Sequence, residues 1–198
     1  HVHHFINAQG TALPIANQSI DMVFINMTML WIEDLDTLFE EVKRVLIPGG
    51  IFLFATLGSG TLFELKESWQ AVDDLPHIHE FLEMQDLGDL LMRHQFSDVV
   101  MDMDQIVFHY GELSQLAQDL TNNCLRNNLR HSKKSLTTPR QWKMVSDYYQ
   151  RFFSRNNQIP ATFEVIFGCS HKEKDVQKKL SKVMEGVVEI SVDQIGRL

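Results

Sequence analysis

Two apolar segments joined by an amphipathic stretch constrain the fold of this chain more than any other feature. Residues 20–27 are typical of a buried strand, and residues 51–57 form a second apolar run after Pro48-Gly49-Gly50. Because parallel strands need a crossover that is usually helical, this order predicts a βαβ unit and an α/β fold. We expect the helix to end at a Pro-Gly-Gly turn. Its apolar positions recur at helical spacing: Leu35, Leu38, Phe39, Val42, Val45 and Leu46.

The rest of the chain alternates between strand and helix signals in the same way. Thr61 is a candidate N-cap for a helix that reaches about Val72. Thr138 followed by Pro139 is a frequent start of a helix. The remaining predicted elements are strands at 4–8, 98–110 and 162–169, and helices at 85–93, 114–128, 139–153 and 172–184.

Composition narrows the function classes. The 198 residues are 44% apolar with a net charge of −8, which suits a globular domain and argues against general binding to nucleic acid or to anionic membranes. No apolar run is long enough to span a bilayer. The two cysteines, Cys124 and Cys169, form no disulfide framework, so we expect a reducing compartment and a cytoplasmic protein. Because His1 is not preceded by methionine, we expect that the natural start lies upstream or was removed.

Short motifs occur along the chain in a characteristic order. They are S-x-D-x-V from Ser19, R-V-L-x-P-G-G from Arg44, F-A-T-L-G from Phe54, W-Q-A-V-D from Trp69, P-H from Pro76 and P-A-T-F-E-V from Pro160. This ordered run, over about residues 5–171, resembles the BioC family, the malonyl-acyl-carrier-protein O-methyltransferases of biotin synthesis. These are class I S-adenosylmethionine-dependent methyltransferases. The resemblance implies that fold, activity and cofactor for this chain.

The resemblance also implies a domain organisation. Residues 1–171 would form the C-terminal two thirds of a Rossmann-like class I methyltransferase sheet, with a helical insert at about 111–160 between the last strands. Residues 172–198 would form a tail outside the family match. Because the family begins with two further strands, we expect the strand at 20–27 to be an exposed apolar edge, which is able to pair with a second copy of the chain.

The family pattern places candidate cofactor-binding residues at strand ends. Gln9 and Gly10 stand where the family usually has an aspartate and a small residue near the adenine amino group. Asn26 and Met27 end the first apolar strand, where class I enzymes contact the methionine part of the cofactor. Trp31 follows in the loop and lines the pocket or packs in the core. No G-x-G-x-G motif, which the family uses to bind the cofactor, precedes Gln9.

The helical insert carries the candidate substrate-binding residues, namely Arg126, Asn127, Arg130 and Arg140. An arginine fork matches the two oxygens of a malonyl carboxylate. Residues 126–151 hold seven positive charges and one negative charge, net +6 in a chain of net −8. Because acyl carrier protein is strongly acidic, the resemblance implies that this basic insert binds it. A solvated helix face explains the same charges.

Alternatives remain open at this stage. The chain is either a methyltransferase acting on malonyl-acyl carrier protein, a non-catalytic binding module with the same fold, or a methyltransferase for another small molecule. Cys124 replaces the glycine of the family's G-x-x-N sequence before Asn127. His77 and His79 have the spacing of metal ligands, but a structural role is the simpler interpretation and we expect no metal.

Overall fold

A computed structural model describes residues 5–123 and 137–174 of the chain. None of the helices in these ranges is long and apolar enough to cross a membrane. The elements are β1 Ile20–Asn26, α1 Leu35–Val45, β2 Leu46–Leu57, α2 Phe63–Gln70, α3 Met84–Arg93, β3 Phe96–Tyr110, α4 Leu113–Asn122, α5 Pro139–Phe153 and β4 Ile159–Lys172.

The four described strands form one sheet in the order β1-β2-β4-β3. β1 and β2 are parallel and are connected through α1, as the βαβ prediction requires. β4 lies antiparallel between β2 and β3. The α/β class is therefore confirmed. β1 is an edge of this sheet within the described residues, and it exposes Met22 and Phe24, as expected for an apolar edge strand.

Local sequence explains α1 and its position. The Asp34 carboxylate caps the helix by accepting a hydrogen bond from the Thr37 amide at 2.9 Å, and it also accepts one from the Thr37 hydroxyl.

The sequence predicted that a turn at Pro48–Gly50 separates α1 from β2, and this prediction is wrong. β2 starts directly after α1, because Leu46 already pairs with Ile20, and Pro48–Gly50 lie inside β2 at a shift of register. Gly49 has a φ of 81°, which the glycine tolerates.

Two further sequence predictions are wrong. Residues 5–8 form no strand, and none of them pairs with a described strand. Thr61 does not cap α2, because Leu62 occupies the N-cap position with a φ of 55°. The buried Thr61 hydroxyl instead donates to the Glu164 carbonyl and accepts from the Glu164 amide, both at 3.2 Å. This hydrogen bonding satisfies polar groups that would otherwise be buried alone.

The lengths of the last elements also differ from the prediction. α4 ends at Asn122 rather than at 128, and residues 124–128 lie outside the described ranges. β4 is longer than predicted, because it is hydrogen-bonded to a strand on each side. Lys172 therefore belongs to β4 and not to a helical tail, and residues 175–198 lie outside the described ranges.

Two hydrophobic clusters hold the elements together. The first packs α1 and α3 against one face of the sheet, with Phe39, Phe52 and Phe54 almost fully buried. The second joins α2, α4 and α5 to the start of β4. At its centre the Tyr149 hydroxyl donates to the Pro160 carbonyl at 2.6 Å. Burial, together with the nearby Glu64 carboxylate, raises the pKa of Tyr149, so this hydroxyl remains a donor.

Candidate functional site

A cavity of about 400 Å³ lies at the carboxyl ends of β1 and β2. Ligands of open α/β sheets bind at this edge, and the volume falls in the usual range for small-molecule sites. Most of its wall is apolar. The lining residues are Met29, Leu30, Trp31, Ile32, Glu33, Leu35, Thr56, Leu57, His79, Glu80, Phe81, Leu82 and Leu87.

Three pieces of the chain build this cavity. A single 3₁₀ turn, Met29–Trp31, follows β1 and directs Met29 into the core while Trp31 stays 48% exposed. Thr56 and Leu57 come from the last residues of β2 and are buried. Residues 79–82, before α3, complete the wall. We call residues 77–82 the wall segment.

Side-chain contacts anchor the start of the wall segment. The His77 ring stacks on the Trp69 indole with 3.7 Å between centroids and 9° between planes. His77 Nε2 lies 2.7 Å from Asp73 Oδ1. Gln141 Nε2 donates to the other Asp73 oxygen at 3.3 Å and so links this anchor to α5. These contacts give His77 a structural environment at the end of α2.

His79 is the titratable imidazole of the cavity wall. Burial lowers its pKa, against the opposing effect of the neighbouring Glu80 carboxylate. The neutral ring is therefore favoured near neutral pH, and it offers one donor and one acceptor rather than a fixed charge. Among residues 5–123 and 137–174, no group of three His, Cys, Asp or Glu side chains is arranged to hold a metal ion.

A second, polar cavity of about 270 Å³ shares part of the wall segment with the first cavity. His79, Glu80, Phe81 and Leu82 border both cavities. Its remaining wall includes Ser59, Thr61 and Lys66 from the loop after β2 and from α2. The wall segment therefore contributes to both an apolar cavity and a polar one.

Glu164 of β4 fixes the loop after β2. Its backbone carbonyl accepts from the Gly58 amide at 2.9 Å, and its carboxylate Oε1 accepts from the Gly60 amide at 3.2 Å. A Cβ on Gly58 would lie 2.2 Å from that carboxylate, and a Cβ on Gly60 2.5 Å from it. The two glycines are therefore needed for the close approach of the carboxylate, rather than for chain flexibility.

The structure brings one predicted cofactor residue, Trp31, to the cavity wall. Asn26 ends β1 with an exposed side chain, and the Met27 amide donates to the Ala55 carbonyl at 2.8 Å. Gln9 and Gly10 lie in a turn closed by the Ala12 amide. These four residues are not among those that line either cavity.

Gly10 is nevertheless close to the cavity. A Cβ at this position would lie 3.3 Å from Ile32 Cδ1, and Ile32 is part of the cavity wall. The turn is held in place through Arg44, which donates to the Leu13 and Ile15 carbonyls at 3.0 and 2.8 Å. Glu41 binds both the Arg44 side chain and the Leu13 amide. The predicted turn therefore lies behind the wall rather than in it.

The predicted substrate residues are only partly described. Arg126, Asn127 and Arg130 lie outside the described ranges. Arg140 is exposed in the first turn of α5 and lines neither cavity.

Sequence reasoning missed most of the cavity wall. Thr56 and Leu57 end a predicted parallel strand, so the rule that ligands bind at carboxyl strand ends would have found them. Residues 79–82 are irregular and have no periodic signal. Only their spatial position reveals their contribution.

Comparisons with known proteins agree with these features. Residues 1–54 match the family described as "Methyltransferase domain". "Malonyl-[acyl-carrier protein] O-methyltransferase 1" of Coxiella burnetii is 39% identical over 158 residues, which cover 80% of this chain and 55% of that protein. "Malonyl-[acyl-carrier protein] O-methyltransferase" of Legionella pneumophila subsp. pneumophila is 32% identical over 186 residues, which cover 94% of this chain and 65% of that protein. The chain thus spans between about half and two thirds of these relatives.

Solved structures show the same fold. A putative methyltransferase from Bacillus halodurans superposes with a TM-score of 0.54 at 12% identity, covering 84% of this chain and 70% of the other. The YcgJ protein from Bacillus subtilis gives a TM-score of 0.53 at 11% identity with the same coverage. Similarity at such low identity establishes fold alone. The chain therefore shares the fold of these structures and is similar in sequence to the malonyl-[acyl-carrier protein] O-methyltransferases of Coxiella burnetii and Legionella pneumophila.

Proposed function

We propose that this chain is part of an S-adenosylmethionine-dependent methyltransferase that methylates the free carboxylate of a malonyl group carried by acyl carrier protein. The observation that carries the proposal is the apolar cavity at the carboxyl ends of a parallel strand pair. Its position suits a cofactor, and the relatives named for this reaction supply the substrate class.

The residues of the cavity fit the proposed cofactor. Trp31 and Phe81 offer apolar faces for an adenine ring, and the Glu33 and Glu80 carboxylates offer acceptors for ribose hydroxyls. We infer that these residues hold the adenosyl part, with Gln9 and Gly10 supporting the wall and Asn26 and Met27 at the strand end near the methionine part. When bound, S-adenosylmethionine supplies a methyl group on a cationic sulfur.

The chain's own residues then need to position the acceptor and exclude water. A carboxylate is already ionised at neutral pH, so no general base is required. The apolar part of the cavity wall includes Met29, Leu30 and Leu57, which exclude water. Water therefore does not solvate the carboxylate oxygen that is aligned with the methyl group. The neutral His79 ring is able to orient the acceptor by hydrogen bonding. Arg126, Asn127, Arg130 and Arg140 remain the candidates for binding the second malonyl oxygen or its carrier.

Isothermal titration of the chain with S-adenosylhomocysteine tests the cofactor site. We expect binding in the micromolar range, and a loss of at least tenfold in Trp31→Ala, because a well-packed aromatic contact contributes more than about 1.4 kcal/mol. Phe108→Ala is the matched control, since Phe108 is similarly exposed but does not line the cavity. Transfer of a labelled methyl group to malonyl-acyl carrier protein tests the substrate. Equal binding by both variants would contradict the site.

Two finer points belong to the same proposal. The β1 edge, which exposes Met22 and Phe24, is where a second copy would add a strand to form a homodimer. Light scattering of the wild type and of Met22→Lys tests this, and a monomeric wild type at high concentration would refute it. A reducing, cytoplasmic setting suits the free Cys169 in β4.

A further inference from the structure

The outward face of α5 carries an unusual combination of basic, apolar and aromatic side chains, which are exposed except for the half-buried Tyr148. Arg140, Met144, Tyr148 and Phe152 recur every four residues and therefore form one ridge on the helix. Met144 is 44% exposed and Phe152 58% exposed. Arg151 lies over the Phe152 ring, with 5.3 Å from its guanidinium carbon to the ring centroid. We call these five residues the α5 ridge.

The opposite face of the helix anchors α5 to the rest of the protein. Val145 and Tyr149 are fully buried in the second hydrophobic cluster, and Trp142 and Phe153 pack against its edge. The Thr138–Gln141 capping box fixes the start of the helix. The helix is thus anchored by its inner face, and its outer apolar side chains remain available for another molecule.

We propose that the α5 ridge is the docking surface for the acidic carrier protein that presents the malonyl group; this rests on the proposed function. Charge complementarity selects this partner. α5 carries Arg140, Lys143 and Arg151 against Asp147 in a chain of net charge −8. A basic rim around exposed methionine and aromatic side chains suits a partner with acidic residues around an apolar patch. A carrier protein with a strongly acidic surface meets both conditions.

The position of the ridge relative to the cavities supports the same partner. The first turn of α5 contacts the anchor of the wall segment through the Gln141–Asp73 hydrogen bond. The ring centroid of Trp142 also lies 6.5 Å from that of Trp69, and His77 stacks on the Trp69 ring. The wall segment that starts at His77 borders both cavities. A carrier docked on α5 would therefore place its tethered acyl group beside the compartments where the reaction is proposed.

Direct binding of malonyl-acyl carrier protein, measured by isothermal titration, tests the ridge. We expect the charge reversals Arg140→Glu and Arg151→Glu, combined, to weaken binding about tenfold at low salt, and less at high salt. We expect Phe152→Ser alone to weaken it at least fivefold. Arg93→Glu on α3 is the matched control, since Arg93 is an exposed arginine outside α5, and it should change affinity less than twofold. Thermal melts check that each variant is folded.

The outcomes separate this proposal from the proposed function. If the wild type binds the carrier and the ridge variants bind it equally well, or if Arg93→Glu weakens binding as much as they do, the ridge is not the docking surface. Absence of carrier binding by the wild type overturns it too. Self-association that Phe152→Ser abolishes without any carrier would assign the ridge to a second copy instead. Titration with S-adenosylhomocysteine and methyl transfer to malonyl-coenzyme A test the proposed function without the carrier.

Discussion

Replacement of Gly168 by alanine is the sharpest test of how the sheet packs. Gly168 in β4 is paired with Phe54 in β2, and a Cβ on Gly168 would lie 2.1 Å from Phe54 Cζ and 2.2 Å from its Cε1. Phe54 is 2% exposed and packs beside Phe52, with 5.3 Å between the ring centroids. The ring therefore has little room to move away from a new methyl group.

The magnitude follows from two opposing effects. Overpacking a dense core costs about 1–3 kcal/mol, and a contact this short belongs at the upper end. Replacing glycine by alanine restricts the unfolded chain and returns about 0.4–1 kcal/mol. We expect Gly168→Ala to lower the free energy of unfolding by about 2 kcal/mol, which corresponds to about 4–8 °C in Tm for a chain of this size.

Urea and thermal unfolding of four variants measure this effect. Phe54→Leu removes the clashing ring atoms. The double variant Gly168→Ala/Phe54→Leu should therefore have a free energy of unfolding about 1–2 kcal/mol higher than the sum of the two single changes predicts. Gly88→Ala in helix α3 is the control, because the added Cβ would lie 3.4 Å from Met101 Sδ of β3, which is an ordinary van der Waals distance. It should stabilise by about 0.5–1 kcal/mol. An unchanged Tm in Gly168→Ala, or additive single changes, would refute the packing described here.

Two further predictions concern electrostatics and the wall segment. Hydrogen bonds and charge from Arg44 lower the pKa of Glu41 from 4.5 to about 2. The stability that wild type gains over Glu41→Gln should therefore be present above pH 4.5 and disappear as the pH falls towards 2 in urea titrations. A stability difference that persists unchanged at pH 2 would contradict this expectation. His77→Ala should cost about 2 kcal/mol, from the lost stack on Trp69 and the lost hydrogen bond. His77→Phe keeps the stack and should lose about half as much in thermal melts, so equal losses would contradict the stacking contribution.

Local sequence patterns predicted correctly those elements whose formation depends on residues close together in the chain. α5 starts and ends where the sequence predicted, because Thr138 and Gln141 form a capping box and Pro139 suits the first helical turn. The βαβ unit was predictable as well, since strand and helix periodicities differ over a few residues. The resemblance to the BioC family, carried by ordered motifs, is confirmed by relatives at 32–39% identity.

Predictions failed where a partner lay far away in sequence. Thr61 has the side chain of an N-cap residue, but Glu164, 103 positions later, takes both of its hydrogen bonds. Residues 5–8 have strand-like composition but no strand beside them among the described residues. β4 extends beyond its apolar centre because strands on both sides supply hydrogen-bonding partners.

By itself the sequence determined the fold class, the parallel unit, the helix of the insert and the resemblance to the BioC family, because each depends on short-range periodicity, capping or motif order. Only the tertiary structure decided where the cavity lies, that Trp31 lines it while Gln9, Gly10, Asn26 and Met27 do not, and that α5 turns a basic and apolar ridge outwards. The physical reason is that a cavity or an exposed face is defined by side chains that different elements bring together.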